Sequence, residues 1–288
     1  MSDACNVTLE DLLSAQYIAK NLKLSNNKKA NVLASNNLTR SYGRGMEYSH
    51  SRVYQPGDDV RHIDWRLTAR QSKTYTKLYH EEKGENNYII LDLSSSMHFG
   101  TRFALKSVIA SRAAAILAWL GFNENNNIGS IVFNDQNITY TPAKLTKNNL
   151  ILFFNNIVKH HLLSETESNS GSETPHHSLL SALTTYEHCI PRHSRIFIIS
   201  DFCNADDLTY KKIEKLNYEN LVYLIKISDP IETSVLPSGQ YNITNGQQST
   251  FINIDKNNQE LFIKYFQEKL AKYNKIIKKL NIKHIELI

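Results

Sequence analysis

The sequence predicts an α/β fold with a doubly wound, mostly parallel sheet flanked by helices, and three observations support this prediction. Short continuous apolar runs recur in the second part of the chain, as strands buried on both faces of a sheet require. Longer segments with apolar residues at helical spacing separate these runs. Oxygen-bearing side chains directly follow two of the runs. In a doubly wound fold, ligands bind at this position, in the loops beyond the carboxyl ends of the parallel strands.

The first part of the chain has a different character. It is polar, with a short amphipathic stretch at Leu9–Leu22 and a dense charged and aromatic segment further on. No core of its own is evident in this pattern. We therefore predict an N-terminal arm over residues 1–85, packed on an α/β domain over residues 86–288.

Strands and helices are expected to alternate through the α/β domain. The predicted strands are Tyr88–Leu91, Ile128–Phe133, Arg195–Ser200, Leu221–Ile227 and His284–Leu287, with a hairpin over Tyr241–Ile254. The predicted helices are Arg102–Leu120, Asn148–Leu162, Pro175–Cys189, Asp206–Leu216 and Gln259–Leu280. Gly121 is expected to stop the first of these helices, and Pro175 to occupy the first turn of the third.

Composition restricts the class of protein. The 288 residues are 41% hydrophobic and 21% charged, which is typical of a globular domain, and a net charge of +5 is weak for a dedicated nucleic-acid binder. Three widely spaced cysteines without a CxxC pair indicate neither a disulfide framework nor a thiolate zinc site. No signal-peptide pattern and no apolar run of about 20 residues is found, so we expect a cytoplasmic protein.

Two predicted strands end in groups suited to a hard cation. Asp92, Ser94 and Ser96 alternate where the first strand opens into a loop, and Asp201 follows the RIFIIS strand directly. Thr174 precedes a later helix and adds another hydroxyl. Carboxylate and hydroxyl oxygens suit Mg²⁺, and a cation would relieve the repulsion between unpaired acids at one sheet edge. An ordinary turn or helix N-cap is the alternative reading of such residues.

DLSSSM after an apolar strand, a Thr before a later helix and an Asp after a later strand resemble the metal-ion-dependent adhesion site (MIDAS) of von Willebrand factor A (vWA) domains. The DxSxS element matches fully, ISDF matches well, and SGSETP resembles the Gly-Gly-Thr loop of that family only loosely. The resemblance implies Mg²⁺, or Mn²⁺, held by Asp92, Ser94, Ser96, Thr174 and Asp201. It also implies an open coordination position that a carboxylate of a partner protein fills.

The segment before the first strand resembles bacterial domain-of-unknown-function family 58. The resemblance rests on GRGMEY from Gly43, RVYQPGDDVRHIDWR from Arg52, Thr68-Ala69-Arg70 and Glu81-Glu82, with Ser228-Asp229-Pro230 and Leu236-Pro237 later in the chain. Members of this family are often encoded beside MoxR-type AAA+ ATPases. A partner of that type is therefore implied by the resemblance.

Charged residues of this segment allow two interpretations. In the first, the arginines and carboxylates pair with one another and form an internal network that holds the arm on the α/β domain. Tyr54 and Trp65 would then be packing residues that anchor the arm. Alternatively, the arginines face outward as a patch that docks a partner or nucleic acid. The residues concerned are Arg44, Glu47, Arg52, Asp58, Asp59, Arg61, Asp64, Trp65, Arg66 and Arg70.

The function expected from these patterns is metal-dependent protein–protein interaction without catalysis, as an adaptor or co-chaperone of a MoxR-type ATPase. A metal-dependent phosphohydrolase with Asp92 as nucleophile is the main alternative. Such enzymes usually carry a second acid two residues further on, where this chain has Ser94. Nucleic-acid binding through the arginine-rich arm is the other alternative, and it predicts a steep dependence of affinity on salt.

Overall fold

The computed structural model describes residues 4–22, 46–81, 84–101, 104–166, 177–233, 239–244, 249–254 and 256–288. The chain divides into two compact units, one of residues 27–84 and the other of residues 1–26 with 85–288. The smaller unit therefore begins later than the predicted arm of residues 1–85, since the first 26 residues group with the α/β part.

Helices and strands follow one another along the described part of the chain. They are α1 (Leu9–Ala19), β1 (Met46–Val53), α2 (Trp65–Thr68), β2 (Tyr75–Glu81), β3 (Asn86–Asp92), α3 (Lys106–Asn123), β4 (Asn127–Phe133), β5 (Ile138–Lys144), α4 (Lys147–Thr166), α5 (Leu179–Tyr186), β6 (Arg195–Ser200), α6 (Asp207–Glu219), β7 (Leu221–Ile227), α7 (Pro230–Thr233), β8 (Gly239–Thr244), β9 (Ser249–Ile254), α8 (Lys256–Leu280) and β10 (Lys283–Leu287). Among the described residues, no helix combines the length and apolar character needed to cross a bilayer.

The larger unit contains a six-stranded sheet in the order β10-β7-β6-β3-β4-β5. All neighbouring pairs are parallel except β4 and β5, which run antiparallel. Numbered along the chain, the strands lie in the order 3-2-1-4-5-6 of a doubly wound fold, whose ligand site lies beyond the carboxyl ends of the central strands. The predicted fold class is confirmed.

Apolar side chains fill both faces of this sheet. Alternate residues of β3 point to opposite faces, so Ile89 and Leu91 join a core with α1, α3 and α4, while Tyr88 and Ile90 join a core with α5, α6 and α8. Each of these four β3 residues is almost fully buried. The continuous apolar run of β3 thus reflects a strand covered on both sides.

Helix α1 belongs to the first of these cores. Its N-cap Thr8 accepts a hydrogen bond from the backbone of Asp11, and Leu12, Ala15 and Ala19 are buried. The indole Nε1 of Trp119 on α3 donates to the carbonyl oxygen of Leu12 at 3.0 Å. The amphipathic stretch seen in the sequence is therefore a helix of the α/β unit.

Two predicted helix ends were wrong. Helix α3 begins at Lys106 rather than at Arg102, which lies outside the described residues, and it continues through Gly121 to Asn123. Gly121 is needed for close packing, because an added Cβ would lie 2.5 Å from Nδ2 of Asn87 and 2.6 Å from Cδ1 of Ile128. Helix α5 begins at Leu179 after a capping box of Ser178 and Ser181, and Pro175 lies outside the described residues.

Within the six-stranded sheet, β5 is the strand that the periodicity did not predict. Its sequence, ITYTPAK, contains Pro142 and is partly exposed along its length. It pairs with β4 at the edge of the sheet, where a proline is tolerated and burial is incomplete. The remaining strand predictions agree with the structure, and the predicted hairpin is formed by β8 and β9.

Candidate functional site

Two carboxylates meet at the carboxyl edge of the central strands. Asp92 is the last residue of β3 and Asp201 directly follows β6, and these two strands are parallel neighbours. Asp92 is 6% exposed and Asp201 is 4% exposed. Both line a cleft of about 40 Å³, which is large enough for one ion with very little water.

Asp92 is held by hydrogen bonds from its surroundings. Its Oδ1 accepts from the backbone nitrogen of Ser94 at 2.9 Å, and its Oδ2 accepts from Oγ of Ser200 at 2.6 Å. Burial and then the nearby Asp201 carboxylate raise the pKa of Asp92 to about 6. The carboxylate is therefore mostly ionised at pH 7, in surroundings that disfavour its charge.

The serines of DxSxS lie beside this carboxylate. A short 3-10 turn over Ser95–Met97 brings Oγ of Ser94 within 3.3 Å of Oγ of Ser96. Both serines line the same cleft as Asp92 and Asp201. Four of the five residues predicted to bind metal are thus brought together, and Thr174 lies outside the described residues.

Asp201 is paired, contrary to the sequence argument that treated the two acids as unpaired. Lys106 on α3 donates through Nζ to Oδ2 of Asp201 at 2.8 Å and to Oε1 of Glu232 at 3.0 Å. The Lys106 side chain is buried. Burial alone would lower the pKa of Lys106, but Asp201 and Glu232 outweigh burial and raise it, so this lysine is a resident cation.

The charges at this edge do not balance. Asp92, Asp201 and Glu232 contribute three carboxylates and Lys106 one ammonium, so net negative charge stays buried. Within the described ranges, His, Cys, Asp and Glu form no group of three placed to bind a metal ion. The donor set is instead two carboxylates with two serine hydroxyls, all oxygen, which is the chemistry that Mg²⁺ prefers.

Sequence reasoning missed three residues of the site. Oδ2 of Asp135, after β4, accepts from the backbone nitrogen of Ser95 at 2.8 Å, and Asp135 also lines the cleft. Ser200 supports Asp92, and Lys106 pairs with Asp201. Asp135 carried a usable signal, since it follows an apolar strand, whereas Lys106 lies inside a helix and its role depends on tertiary contact.

Phe202, next to Asp201, has an unusual backbone. Its φ of 55° lies in the left-handed region, which is rare for a bulky side chain, and the residue is 6% exposed. Its backbone nitrogen donates to Oγ of Ser200 at 3.0 Å, and that oxygen in turn donates to Asp92. The strained turn is therefore linked by hydrogen bonds to the carboxylate at the end of β3.

The Ser228-Asp229-Pro230 motif has a structural role in this arrangement. Oδ2 of Asp229 accepts from the backbone nitrogen of Thr101 at 2.8 Å, and Oδ1 accepts from the Thr101 hydroxyl and from the backbone nitrogen of Ile231. The loop that follows DxSxS is thereby joined to the turn after β7. This contact stabilises the loop from which Ser94 and Ser96 project.

Burial shifts the pKa values of three further side chains, His160, His161 and Cys203. Burial lowers the pKa of His160 and of His161 to about 4, so both are neutral at pH 7. Burial and the charge of Asp201 raise the pKa of Cys203 to about 12, so its thiol stays protonated and is a poor nucleophile.

Charged residues of the smaller unit make local contacts. Arg52 forms an ion pair with Asp58 at 2.7 Å, Asp59 accepts from the backbone nitrogen of Arg61, and Asp64 caps α2 and accepts from the Ser51 hydroxyl. Backbone capping thus occupies two of the acids predicted to pair with arginines. Arg44 and the side chain of Glu47 lie outside the described residues.

The remaining side chains of that segment face solvent. Arg61, Arg66 and Arg70 are exposed, and Trp65 is 68% exposed. Within its own unit Trp65 therefore makes little packing contact, and its predicted role as an anchor on the α/β domain stays a prediction. Tyr54 is half-buried, and its hydroxyl donates to the carbonyl oxygen of Asp58 at 3.3 Å.

Comparison with known proteins gives one family and several relatives. A family model described as "Protein of unknown function DUF58" matches residues 50–275. The uncharacterized protein Rv1480 of Mycobacterium tuberculosis is 34% identical over 113 residues, 39% of this chain and 36% of that protein. The uncharacterized protein YeaD of Bacillus subtilis is 34% identical over 94 residues, 31% of this chain and 23% of that protein. The chain thus spans about a third or less of these relatives' length.

Proposed function

Because this chain belongs to the DUF58 family of proteins of unknown function, we propose a function from its own site: it is a metal-ion-dependent protein-binding module of the vWA type. Mg²⁺, or Mn²⁺ in its place, binds at the carboxyl edge of β3 and β6. A carboxylate of a partner protein completes the site. No catalytic step is proposed.

One observation supports this proposal most strongly. Asp92, Ser94, Ser96 and Asp201 line one cleft, and the buried carboxylates around them exceed the single ammonium of Lys106. Buried charge is costly unless it is compensated. A divalent cation in the cleft would offset the excess negative charge, and oxygen ligands of this kind suit it.

The residues of the chain have distinct parts in this mechanism. Asp92, Ser94 and Ser96 would hold the ion through their side-chain oxygens, and Ser200 and the Ser94 backbone orient the Asp92 carboxylate. Lys106 neutralises much of the charge of Asp201, so that the bound ion keeps enough positive charge to attract a further anion. When bound, the ion supplies an exchangeable coordination position for the carboxylate of the partner.

The partner follows from the family resemblance and from the site. We propose a MoxR-type AAA+ ATPase or its client as the protein that presents the carboxylate, with this chain as adaptor or co-chaperone. A cytoplasmic location would bring the two together.

Calorimetry with Mg²⁺ and Mn²⁺ tests the proposal. Metal-free wild type is expected to bind one ion, and Asp92→Ala is expected to bind none. A MoxR-type AAA+ ATPase from the same organism is then titrated into each protein, and its binding should follow the presence of metal.

Cys5→Ala is the matched control, because Cys5 is exposed and does not line the cleft. It should bind metal as wild type does. Absence of metal binding by wild type would refute the metal site. Equal metal binding by Asp92→Ala would refute the assignment of Asp92.

A further inference from the structure

A second cavity lies beside the candidate metal site. It measures about 520 Å³ and is bordered by the loop after β6, by Lys226 on β7, by Glu232 on α7 and by helix α8. Ligand pockets in proteins typically have volumes of about 300–1,000 Å³. This cavity therefore has room for a large side chain and the backbone that carries it.

The wall of the cavity is mainly apolar. The apolar side chains that line it are Phe202, Tyr210, Phe266, Leu270 and Tyr273. Tyr273 is only 5% exposed, and its hydroxyl has no hydrogen-bond partner among the described residues. This hydroxyl is enclosed by protein rather than open to the cavity, so the wall offers an occupant chiefly apolar contact.

The cavity and the metal-site cleft share one wall. Asp201, Phe202, Asn204 and Ala205 line both. The Phe202 ring packs against the Tyr273 ring with centroids 5.4 Å apart. Phe202 has a left-handed backbone, and its backbone nitrogen donates to Oγ of Ser200, which donates to Asp92. An occupant of the cavity therefore contacts the strained residue next to Asp201.

Charge around the cavity indicates the chemistry of the occupant. Helix α8 presents a row of exposed lysines, namely Lys264, Lys269, Lys272, Lys275, Lys278 and Lys279. Lys269 and Lys272 border the cavity itself. Asp201, Asp206 and Glu232 line the cavity as well, so the excess of positive charge lies on the exposed surface of α8 rather than in the cavity wall. An acidic polypeptide that carries a bulky apolar anchor would complement this basic helix surface and the apolar interior beside it.

We propose that this cavity receives an aromatic side chain of the same acidic partner segment whose carboxylate occupies the neighbouring metal site. The inference rests on the proposed function and adds to it a recognition rule, namely an acidic residue with an aromatic residue close by in sequence. The carboxylate would provide the metal-dependent contact, and the aromatic ring would provide selectivity among acidic partners.

The cavity is tested first without metal. Indole and 4-methylphenol, which mimic aromatic side chains, are titrated into wild type and followed by saturation-transfer NMR. Gln267 is exposed and lines the cavity, so Gln267→Trp should fill it and weaken binding at least tenfold. Glu268→Trp adds the same bulk at an exposed α8 position outside the cavity and should change binding less than twofold.

The link between the two sites is tested with short peptides in Mg²⁺. Acetyl-Phe-Gly-Asp-Gly-Phe-amide should bind wild type about tenfold more tightly than acetyl-Ala-Gly-Asp-Gly-Ala-amide, and Gln267→Trp should remove this preference. Equal affinities for the two peptides, or equal loss of the preference in Glu268→Trp, would overturn the inference.

A third peptide separates this result from the proposed function. Replacing Asp by Asn in the phenylalanine peptide should abolish the Mg²⁺-dependent part of binding. A phenylalanine preference accompanied by equal affinities of the Asp and Asn peptides, with and without Mg²⁺, would refute the metal-dependent function while leaving the cavity as a binding site for aromatic side chains.

Discussion

At the scale of single residues, Asp92 combines a proposed ligand role with a cost to stability. Its carboxylate is buried and close to Asp201, so ionisation is harder in the folded protein than in the unfolded chain. Functional residues often stand in such unfavourable surroundings, because binding the ligand offsets the cost. The metal-free protein should therefore become more stable when this charge is removed.

Asp92→Asn tests this expectation. The folded-state pKa of about 6 lies above the ordinary value of 3.8, so the folded protein binds more protons between these values and loses stability as pH rises through that window. At pH 7 the substitution should raise the free energy of unfolding by about 1–2 kcal/mol in metal-free buffer. At pH 4 the difference should be much smaller, because the carboxyl is then protonated in the folded protein and only about half ionised in the unfolded chain.

Urea unfolding at pH 7.5 and pH 4 with chelator measures both free energies. Asp206→Asn is a useful comparison, because hydrogen bonds from Thr209 hold the pKa of Asp206 below its ordinary value and that substitution should destabilise. A loss of stability for Asp92→Asn at pH 7.5 would contradict the charge-burial argument.

The local sequence predicts only some of the residues that form the candidate site. Asp92, Ser94 and Ser96 form a pattern within five residues, and Asp201 directly follows an apolar strand, so all four can be predicted from the chain. The ion pair of Lys106 with Asp201 joins residues 95 positions apart, and the Ser95–Asp135 hydrogen bond joins residues 40 apart. Such contacts depend on how α3 and β4 pack, which periodicity does not specify.

At the scale of elements, Gly121 fixes how closely α3 approaches the sheet. Alanine favours helices over glycine by about 1 kcal/mol, so a simple propensity argument predicts that Gly121→Ala stabilises. The nearby Asn87 and Ile128 side chains leave no room for the methyl group. We expect overpacking to dominate and Gly121→Ala to lower the free energy of unfolding by about 1–3 kcal/mol.

Asn123→Ala is the matched substitution in the same turn, since Asn123 is exposed on α3. It should change stability by less than about 0.5 kcal/mol. If Gly121→Ala proved as stable as wild type in urea unfolding, the contact between α3 and the sheet would have to be looser than described.

Strands of the large sheet were predicted correctly where they are buried along their whole length, and a strand that is only partly buried was not predicted. Strands β6 and β7 are apolar and lie inside the sheet, so their sequence runs coincide with their observed bounds. Strand β5 is half exposed and interrupted by Pro142, so neither alternation nor a continuous apolar run marks it. The end of α3 was misjudged because glycine serves both as a helix stop and as a close-packing residue.

At the scale of the whole molecule, α1 is integrated into the α/β unit. Leu12 is fully buried in the core shared with α3 and α4, and its carbonyl oxygen accepts from Trp119. We expect Leu12→Ala to lower the free energy of unfolding by about 2–5 kcal/mol. The measurement is urea unfolding in a Trp65→Phe background, where the buried Trp119 is the single remaining tryptophan and reports on the core.

Tyr17→Ala provides the comparison on the same helix, because Tyr17 is 71% exposed. Its unfolding midpoint should match that of the Trp65→Phe background. An unchanged midpoint for Leu12→Ala would mean that α1 unfolds separately from the rest of the α/β unit.

The overall fold class was predictable because alternating apolar strands and helices have few stable arrangements. The position of α1 was not predictable in the same way. Its short apolar stripe indicates a helix that needs a partner, and nothing in the stripe indicates that the partner is α3, about a hundred residues later.

This separation has a consequence for synthesis of the protein. Leu12 and Trp119 are 107 positions apart in the chain. At a translation rate of roughly 5–20 residues per second, α1 waits roughly 5–20 seconds before the ribosome has made its docking surface. During that interval its apolar stripe is open to chaperones, to proteases and to neighbouring nascent chains, so a segment that is deeply anchored in the finished protein is its most vulnerable part during translation.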